Sequence, residues 1–186
     1  MKLKRICVFC GSSYGSQSEY TEASVKLGHV LVSHNIGLVY GGTNVGLMNV
    51  IANTVHNGGG EVIGVIPKFL TKKESAHPDI NDLRLVDSMH ERKTLMGELS
   101  DAFIAMPGGF GTMDEIFEEI TSAQLKLHFK PCGFLNINGY YDKLFEFINY
   151  IISEKFVKDE HRKILQIDNN PESLIEKLEN YQPYND

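Results

Sequence analysis

Short apolar runs alternate with longer amphipathic stretches along the chain, and glycine or asparagine separates most of them. The apolar runs suit strands buried on both faces, and the stretches between them place apolar residues with the spacing of one helical face. Repeated strand–helix units predict a Rossmann-like, doubly wound α/β fold, in which helices cover both faces of a parallel sheet. The predicted strands are residues 5–9, 38–40, 62–66, 83–86, 102–106, 132–135 and 164–167.

The predicted helices lie between these strands, and several begin at recognisable capping residues. Residues 16–19 and 88–91 have the form of a capping box, and Asn170-Pro171 opens the last helix. The polar segment 68–81 reads as a long loop, and loops of this length are commonly functional. The other helices are predicted at residues 47–55, 88–99, 141–154 and 171 to about 180, and one more follows residue 111 with Ile116, Phe117, Ile120, Ala123, Leu125 and Leu127 on its apolar face.

Composition narrows the class of protein. The 186 residues are 42% hydrophobic and 23% charged, which is typical of a globular chain, and we expect one domain over residues 1–186. The formal net charge of −6 leaves no basic surplus to neutralise a nucleic-acid backbone, so we expect no nucleic-acid partner. The basic N-terminus leads directly into a strand, and no stretch has membrane-spanning length. We therefore expect a cytoplasmic protein without a membrane partner.

Residues 107–115 read Pro-Gly-Gly-Phe-Gly-Thr-Met-Asp-Glu and follow a predicted strand. Glycines let the backbone approach a bound group closely, and the unpaired N–H groups of a helix start favour an anion such as phosphate. Glu115 would then stand beside a phosphate, which suggests chemistry on a phosphorylated sugar. The alternative is purely structural, because Thr112 and Glu115 also have the spacing of a capping box. Three glycines exceed what a cap requires and favour the first interpretation.

A second glycine turn, Gly41-Gly42, also follows a strand and precedes a helix. It lacks the Gly-x-Gly-x-x-Gly spacing of dinucleotide sites and the Gly-Lys-Ser/Thr of P-loops. We therefore expect Gly41 and Gly42 to bind a mononucleotide or sugar phosphate rather than NAD or ATP. The sequence gives no reason to expect a cofactor.

Two cations, Arg92 and Lys93, follow the Ser88 cap in the first turns of a helix. Positive charge there opposes the helix dipole, and such violations of local rules are expected at functional sites. A guanidinium suits bidentate contact with phosphate, which makes Arg92 a candidate for binding a nucleotide. The alternative for both Arg92 and Lys93 is that the side chain extends into solvent.

The chain contains three cysteines, and Cys7 and Cys10 form a Cys-x-x-Cys. Such a pair suggests redox chemistry or a metal, but strand alternation would point the two side chains to opposite faces. No second cysteine pair or histidine tract completes a zinc site, so we expect buried thiols and no metal. No histidine is flanked by a nucleophile signature.

Three segments in order carry a family resemblance: Tyr40-Gly-Gly to Gly46-Leu-Met, Met89-His-Glu-Arg-Lys, and residues 107–115. They resemble the LOG ("Lonely guy") family of cytokinin riboside 5′-monophosphate phosphoribohydrolases, long labelled lysine decarboxylases, and the similarity runs from residue 6 to about residue 156. The resemblance implies a homodimer that cleaves a nucleoside 5′-monophosphate into free base and ribose 5-phosphate. It implies catalytic roles for Arg92 and Glu115. Implied substrate contacts are Glu74, Lys93, Gly108, Gly109, Phe110, Gly111, Thr112, Met113, Asp114 and Thr121.

The chain departs from the family pattern in ways that concern the base. Thr43 and Asn49 stand where many relatives carry glycine, and Met113-Asp114 replaces the commoner Leu-Glu. These differences leave the base preference open.

Two other functions are compatible with the same residues. A non-catalytic nucleotide-binding or sensor module could use the same cradle, and a ribosyl transferase would differ only in excluding water. Lysine decarboxylation requires a lysine that holds pyridoxal phosphate, and no such sequence site is present. In the hydrolase, Glu115 would stabilise the positive charge that develops on ribose, and Arg92 would meet the leaving base or the phosphate.

Overall fold

The computed structural model describes residues 2–71, 76–80 and 82–183 and contains one parallel sheet of seven strands. The sheet order is β4-β3-β2-β1-β5-β6-β7, so β1 lies at the centre, where the strand order reverses. This confirms the predicted Rossmann-like α/β fold, and each strand lies within one residue of its predicted limits. The strands are β1 Arg5–Phe9, β2 Gly37–Tyr40, β3 Val62–Pro67, β4 Asp82–Val86, β5 Ala102–Ala105, β6 Cys132–Leu135 and β7 Leu165–Asp168.

Helices cover both faces of the sheet and bury two separate apolar cores. One core includes residues of α1, α2 and α6, and the other includes residues of α3, α4 and α5. Strands β2 and β5 are buried along their whole length, and β1 is buried from Ile6 to Phe9, because side chains on both of their faces reach a core. The helices are α1 Ser18–Ser33, α2 Gly46–Asn57, α3 Met89–Glu98, α4 Phe110–Gln124, α5 Asp142–Ser153 and α6 Pro171–Glu179, and 3₁₀ turns span Ile137–Gly139 and Asp159–Ile164.

Two of the predicted helix caps are confirmed. The Ser88 side chain accepts a hydrogen bond from the Glu91 N–H, and the Asn170 side chain accepts from the N–H groups of Glu172 and Ser173. These side chains satisfy N–H groups that a helix start otherwise leaves without partners.

The capping box at residues 16–19 is wrong, because α1 begins at Ser18 and its cap residue is Gln17. The chain turns at Gly15, which has a φ of +76° and packs against the ring of Tyr20. The helix begins beyond Ser16, and the Glu19 carboxylate accepts from the Ser18 hydroxyl instead.

The predicted apolar face of α4 is correct at Ile116 and Ala123, which are buried, but wrong at its end. The helix stops at Gln124, and Leu125 and Leu127 are 62% and 74% exposed. Lys126 has a φ of +59°, so the backbone has already left the helix between these two leucines.

The Cys-x-x-Cys thiols face opposite sides of the sheet, as strand alternation predicts. Cys7 belongs to the core under α3, α4 and α5, and Cys10 belongs to the core under α1 and α2. Both are buried, and burial raises the pKa of each thiol.

Three loops converge at the carboxyl edge of the sheet. The Gly11 N–H donates to the Pro107 carbonyl, and the Gly11 carbonyl accepts from the Leu47 N–H. These bonds join the loop after β1 to the loop after β5 and to the start of α2. Among the described residues, no helix combines the length and apolarity that crossing a bilayer requires.

Candidate active site

The start of α4 presents backbone N–H groups that no side chain caps. Gly109 is the cap residue, and it has no side-chain hydrogen bond to the helix. A Cβ built on Gly109 or on Gly111 would meet nothing within 4 Å, so both glycines face open space. Phe110, between them, is 96% exposed. Uncapped N–H groups and the positive end of the helix dipole make this a suitable position for an anion.

The capping-box interpretation of Thr112 and Glu115 is therefore wrong. Thr112 lies inside the first turn of α4, and Glu115 hydrogen-bonds to another helix. Thr112 is buried, and its Oγ1 lies so close to Gly108 that a Cβ there would be only 2.1 Å away. Gly108 is thus required by the close approach of Thr112, which places the hydroxyl beside the free N–H groups.

Arg92 and Glu115 form a buried ion pair between α3 and α4. The Arg92 Nη1 donates to Glu115 Oε1 at 2.8 Å, and the two residues are 7% and 8% exposed. Arg92 Nε also donates to the Val65 carbonyl at 3.1 Å, and Nη2 donates to the Gly41 carbonyl at 3.4 Å. A guanidinium carries five N–H donors. Within the described part of the chain, these contacts use three of the five donors. Two donors therefore remain for a bound molecule.

Gly41 makes room for this guanidinium. A Cβ on Gly41 would lie 2.1 Å from Arg92 Nη2 and 2.8 Å from Met48 Sδ. The space beside Gly41 is therefore filled by the protein's own side chains. Gly42 is required for a different reason, since its φ is +76°.

The environment of Glu115 favours the protonated carboxyl more than water does. Burial raises the pKa of Glu115 above its ordinary value of 4.5, and the positive charge of Arg92 opposes that shift. A carboxyl in a low-dielectric site beside one cation is a common arrangement in catalytic centres.

A cavity of about 250 Å³ lies between the ion pair and the start of α4. Six of the predicted site residues line it, and five further residues complete its wall. The predicted residues are Arg92, Gly109, Phe110, Gly111, Thr112 and Glu115. The further residues are Cys10, Gly11, Ser12, Met48 and Leu70.

Some of these further residues had a signal in the sequence and others had none. Gly11 lies in the turn after β1, at the edge of the sheet where ligands bind in this fold, and that position is a signal for the site. Met48 and Leu70 look like ordinary apolar residues. Cys10 was expected to be a buried thiol, which it is, but one side of it also reaches the cavity.

Lys93 does not extend into solvent. Its Nζ donates to Asp114 Oδ2 at 3.0 Å and also pairs with Glu118, so it links α3 to α4 beside the Arg92–Glu115 pair. The side chain is 18% exposed. Lys93 and Asp114 do not line the cavity in this arrangement, and their contact with a substrate stays a prediction.

Three other predicted contacts also lie away from the cavity wall, and a fourth falls outside the described residues. Gly108 lines a neighbouring cavity of about 210 Å³, and Met113 packs partly into the core. Thr121 lies two turns beyond Glu115 and lines a third cavity, between α4 and α5. Glu74 falls outside the described residues. The roles of these residues stay predictions.

Comparison with known sequences finds clear relatives. A family model described as possible lysine decarboxylase matches residues 48–178. A cytokinin riboside 5′-monophosphate phosphoribohydrolase of Arabidopsis thaliana is 49% identical over 182 residues, which cover 98% of this chain and 85% of that protein. A probable enzyme of the same name from Oryza sativa subsp. japonica is 48% identical over 182 residues, covering 98% and 75% of the two chains.

Solved structures resemble the fold at much lower identity. A molybdenum cofactor binding protein of Rippkaea orientalis has a TM-score of 0.72 at 21% identity, covering 96% of this chain and 97% of that one. A molybdenum cofactor carrier protein of Chlamydomonas reinhardtii has a TM-score of 0.70 at 16% identity, covering 94% and 97%. Identities this low establish a shared fold and nothing about a shared ligand.

Proposed function

The chain belongs to the family of the cytokinin riboside 5′-monophosphate phosphoribohydrolases, and we propose that it hydrolyses the N-glycosidic bond of a purine nucleoside 5′-monophosphate. The products are the free base and ribose 5-phosphate. The observation that carries this proposal is the buried Arg92–Glu115 pair, which faces the uncapped start of α4 across one cavity. A phosphate at the helix start places the attached sugar next to a carboxylate.

The carboxylate of Glu115 supplies the chemistry. Cleavage of an N-glycosidic bond builds positive charge on the ribose ring, in a state that resembles an oxocarbenium ion. Glu115 stabilises that charge and orients or deprotonates the attacking water. Its buried environment strengthens the interaction, because less water screens it.

Arg92 has a supporting role that its hydrogen bonds explain. Bonds to the Val65 and Gly41 carbonyls fix the guanidinium. Its positive charge opposes the rise that burial causes in the pKa of Glu115. The two remaining donors are available to the departing base or to the phosphate. Removing one such electrostatic group commonly lowers the rate by about 10²–10³.

The decarboxylase description of the family model does not fit this site. No lysine is among the described residues that line the cavity, and a pyridoxal phosphate enzyme needs one for its Schiff base. The curated relatives are named as phosphoribohydrolases, and that activity suits the acid and the cation that line the cavity.

A panel of nucleotides tests the proposal. Purified protein is incubated with AMP, an N6-substituted AMP, GMP and adenosine, and ribose 5-phosphate and free base are quantified. We expect release of base from AMP or from its N6-substituted form, and none from adenosine, because the start of α4 requires a phosphate. Equal cleavage of adenosine, or binding of every nucleotide without release of base, would contradict the proposal.

We also propose that two copies pair along α4 and α5. Phe117 and Ile120 of α4 and Ile148 and Ile151 of α5 line an apolar cavity of about 170 Å³ that opens at the surface. Thr121 lies there, outside the cavity of its own chain, so its implied contact with substrate requires a site shared between subunits. Light scattering at micromolar concentration should give twice the 20.9 kDa mass of the chain, and a monomer would count against pairing.

The proposed location is the cytoplasm. Nucleoside monophosphates are charged metabolites, and a bilayer retains charged molecules on the side where they are made.

A further inference from the structure

Two consecutive tyrosines bind the backbone of the glycine turn between β5 and α4. Tyr140 Oη donates to the Gly108 carbonyl at 2.6 Å, and Tyr141 Oη donates to the Met106 carbonyl at 2.6 Å. Both residues lie at the junction between the 3₁₀ turn after β6 and α5. The Tyr141 N–H donates to Asn136 Oδ1, which fixes that junction.

Ring contacts keep the two hydroxyls in place. The Tyr140 and Tyr141 rings meet edge to face at 4.9 Å, and Tyr20 meets Tyr140 in the same way at 5.7 Å. Such aromatic pairs add about 0.5–1.5 kcal/mol beyond the area that they bury. The two tyrosines differ in exposure, since Tyr140 is 43% exposed and Tyr141 is 2% exposed.

The two hydrogen bonds have different consequences because of the peptides that they fix. In a trans peptide the C=O and the following N–H point in opposite directions. The peptide bonds here are trans. Holding the Gly108 carbonyl toward Tyr140 therefore directs the Gly109 N–H away from Tyr140. Holding the Met106 carbonyl directs no donor, because the next residue is Pro107, which has no N–H.

Nothing in the glycines themselves holds that peptide in one orientation. Gly108 and Gly109 lack Cβ atoms, so each has access to backbone angles that other residues avoid. Rotation of the peptide between them would present a carbonyl oxygen, rather than an N–H, to a bound anion. The hydroxyl of Tyr140 opposes that rotation.

We propose that Tyr140 is a positioning residue for the substrate phosphate, acting by fixing the Gly108–Gly109 peptide with the Gly109 N–H toward the anion. The proposal rests on the proposed function, which places a phosphate at the start of α4. Tyr141 makes an equal bond to the same turn and serves only the fold.

The consecutive tyrosines supply a matched pair of variants, Tyr140→Phe and Tyr141→Phe. Each removes one hydroxyl and one bond to the turn while keeping the ring. For each protein, calorimetry measures the affinity for ribose 5-phosphate, kinetics measure kcat and KM for AMP, and thermal unfolding measures Tm. Adenosine serves as the ligand without a phosphate.

We expect Tyr140→Phe to weaken ribose 5-phosphate binding by about tenfold, in keeping with loss of one oriented hydrogen bond to a charged group. KM for AMP should rise by a similar factor while kcat and Tm change little, and adenosine binding should not change. Tyr141→Phe should lower Tm, because it leaves a buried carbonyl unpaired, and should keep wild-type phosphate affinity.

Two results would overturn the assignment, and they are distinguishable. If the wild-type protein binds ribose 5-phosphate and Tyr140→Phe binds it equally well, or if both variants lose the same affinity, Tyr140 does not orient the peptide. If the wild-type protein does not bind ribose 5-phosphate at all, the proposed function fails and the role of Tyr140 fails with it.

Discussion

Glycine turns follow β2 and β5 on either side of the central strand, and different groups occupy the space beside them. At Gly41 the space holds the protein's own Arg92 and Met48, within 2.1 Å and 2.8 Å of where a Cβ would stand. At Gly109 and Gly111 nothing lies within 4 Å. The first turn is thus part of the packing of Arg92, and the second leaves room for a ligand.

The comparison teaches that a missing side chain can serve the protein or its substrate. Both turns follow strands and precede helices, so both have the local geometry of a phosphate site. Where a neighbouring side chain fills the space beside a glycine, that glycine should matter for folding and for the geometry of the Arg92–Glu115 pair. A glycine facing open space should matter only when the ligand is present.

The largest effect is expected for Gly41→Ala. The added methyl group would displace the Arg92 guanidinium and break its bond to Glu115, so we expect turnover to fall by about 10²–10³. Overpacking of this kind also costs about 1–3 kcal/mol of unfolding free energy. Kinetics with AMP and denaturant unfolding measure the two effects.

Gly28→Ala is the matched control for overpacking alone. Its Cβ would lie 2.7 Å from the Thr54 side chain, where α1 packs on α2 away from the cavity. We expect it to lose stability and to keep the wild-type kcat per folded molecule. A similar loss of kcat in both variants would remove the special role assigned to Gly41.

A smaller effect, confined to binding, is expected for Gly109→Ala. The residue has a φ of −91°, which alanine adopts readily, so the free energy of unfolding should stay within about 1 kcal/mol of wild type. The methyl group would occupy the space proposed for phosphate, and we expect KM for AMP to rise by about tenfold or more. A loss of stability without a change in KM would show that the open space is not used by substrate.

The smallest expected effect is a shift in the acid limb of the pH profile of kcat, which depends on Glu115 and not on the glycine turns. Burial raises the pKa of Glu115, so kcat at saturating AMP should fall on the acid side with a midpoint above pH 4.5. Measuring kcat at saturation removes the separate effect of phosphate titration on binding. A midpoint at or below pH 4.5 would contradict the assignment of the acid limb to Glu115.

The same pKa shift fixes the sign of its effect on stability. Because the folded pKa of Glu115 lies above its unfolded value, the native state holds the proton more tightly than the unfolded chain does. The stability gained from that proton is present below the unfolded pKa and is lost as pH rises through the folded pKa. Burial of the charged carboxylate thus costs stability at neutral pH in return for reactivity.

The sequence predicted the fold well because strand–helix alternation is a strong, local signal repeated along the chain. It failed at one helix start, where residues 16–19 have the spacing of a capping box but α1 begins at Ser18. At residues 112–115 the same spacing left a capping box open as the alternative, and the contact of Arg92 with Glu115, which the local sequence does not show, decides against it.

The candidate site was predictable only in part, for a related reason. Arg92 and Glu115 break local rules or follow a glycine turn, so they stand out in the sequence. Met48 and Leu70 line the cavity with apolar side chains that look like core residues in the sequence. Tyr140 acts through a hydrogen bond from its hydroxyl to the carbonyl of Gly108, which lies 32 positions away in the chain. Only the tertiary structure brings such residues to the site.

The central claim is that Glu115 acts in the chemical step and does not merely hold α3 and α4 together. The most direct test is Glu115→Gln, because glutamine can still accept the Arg92 hydrogen bond but carries no charge. Glu98→Gln, which removes an exposed carboxylate from α3 that does not line the cavity, is the control. We expect kcat for AMP to fall by about 10²–10³ in Glu115→Gln while ribose 5-phosphate still binds, and to stay near wild type in the control. A Glu115→Gln protein that releases base from AMP at the wild-type rate would contradict the account.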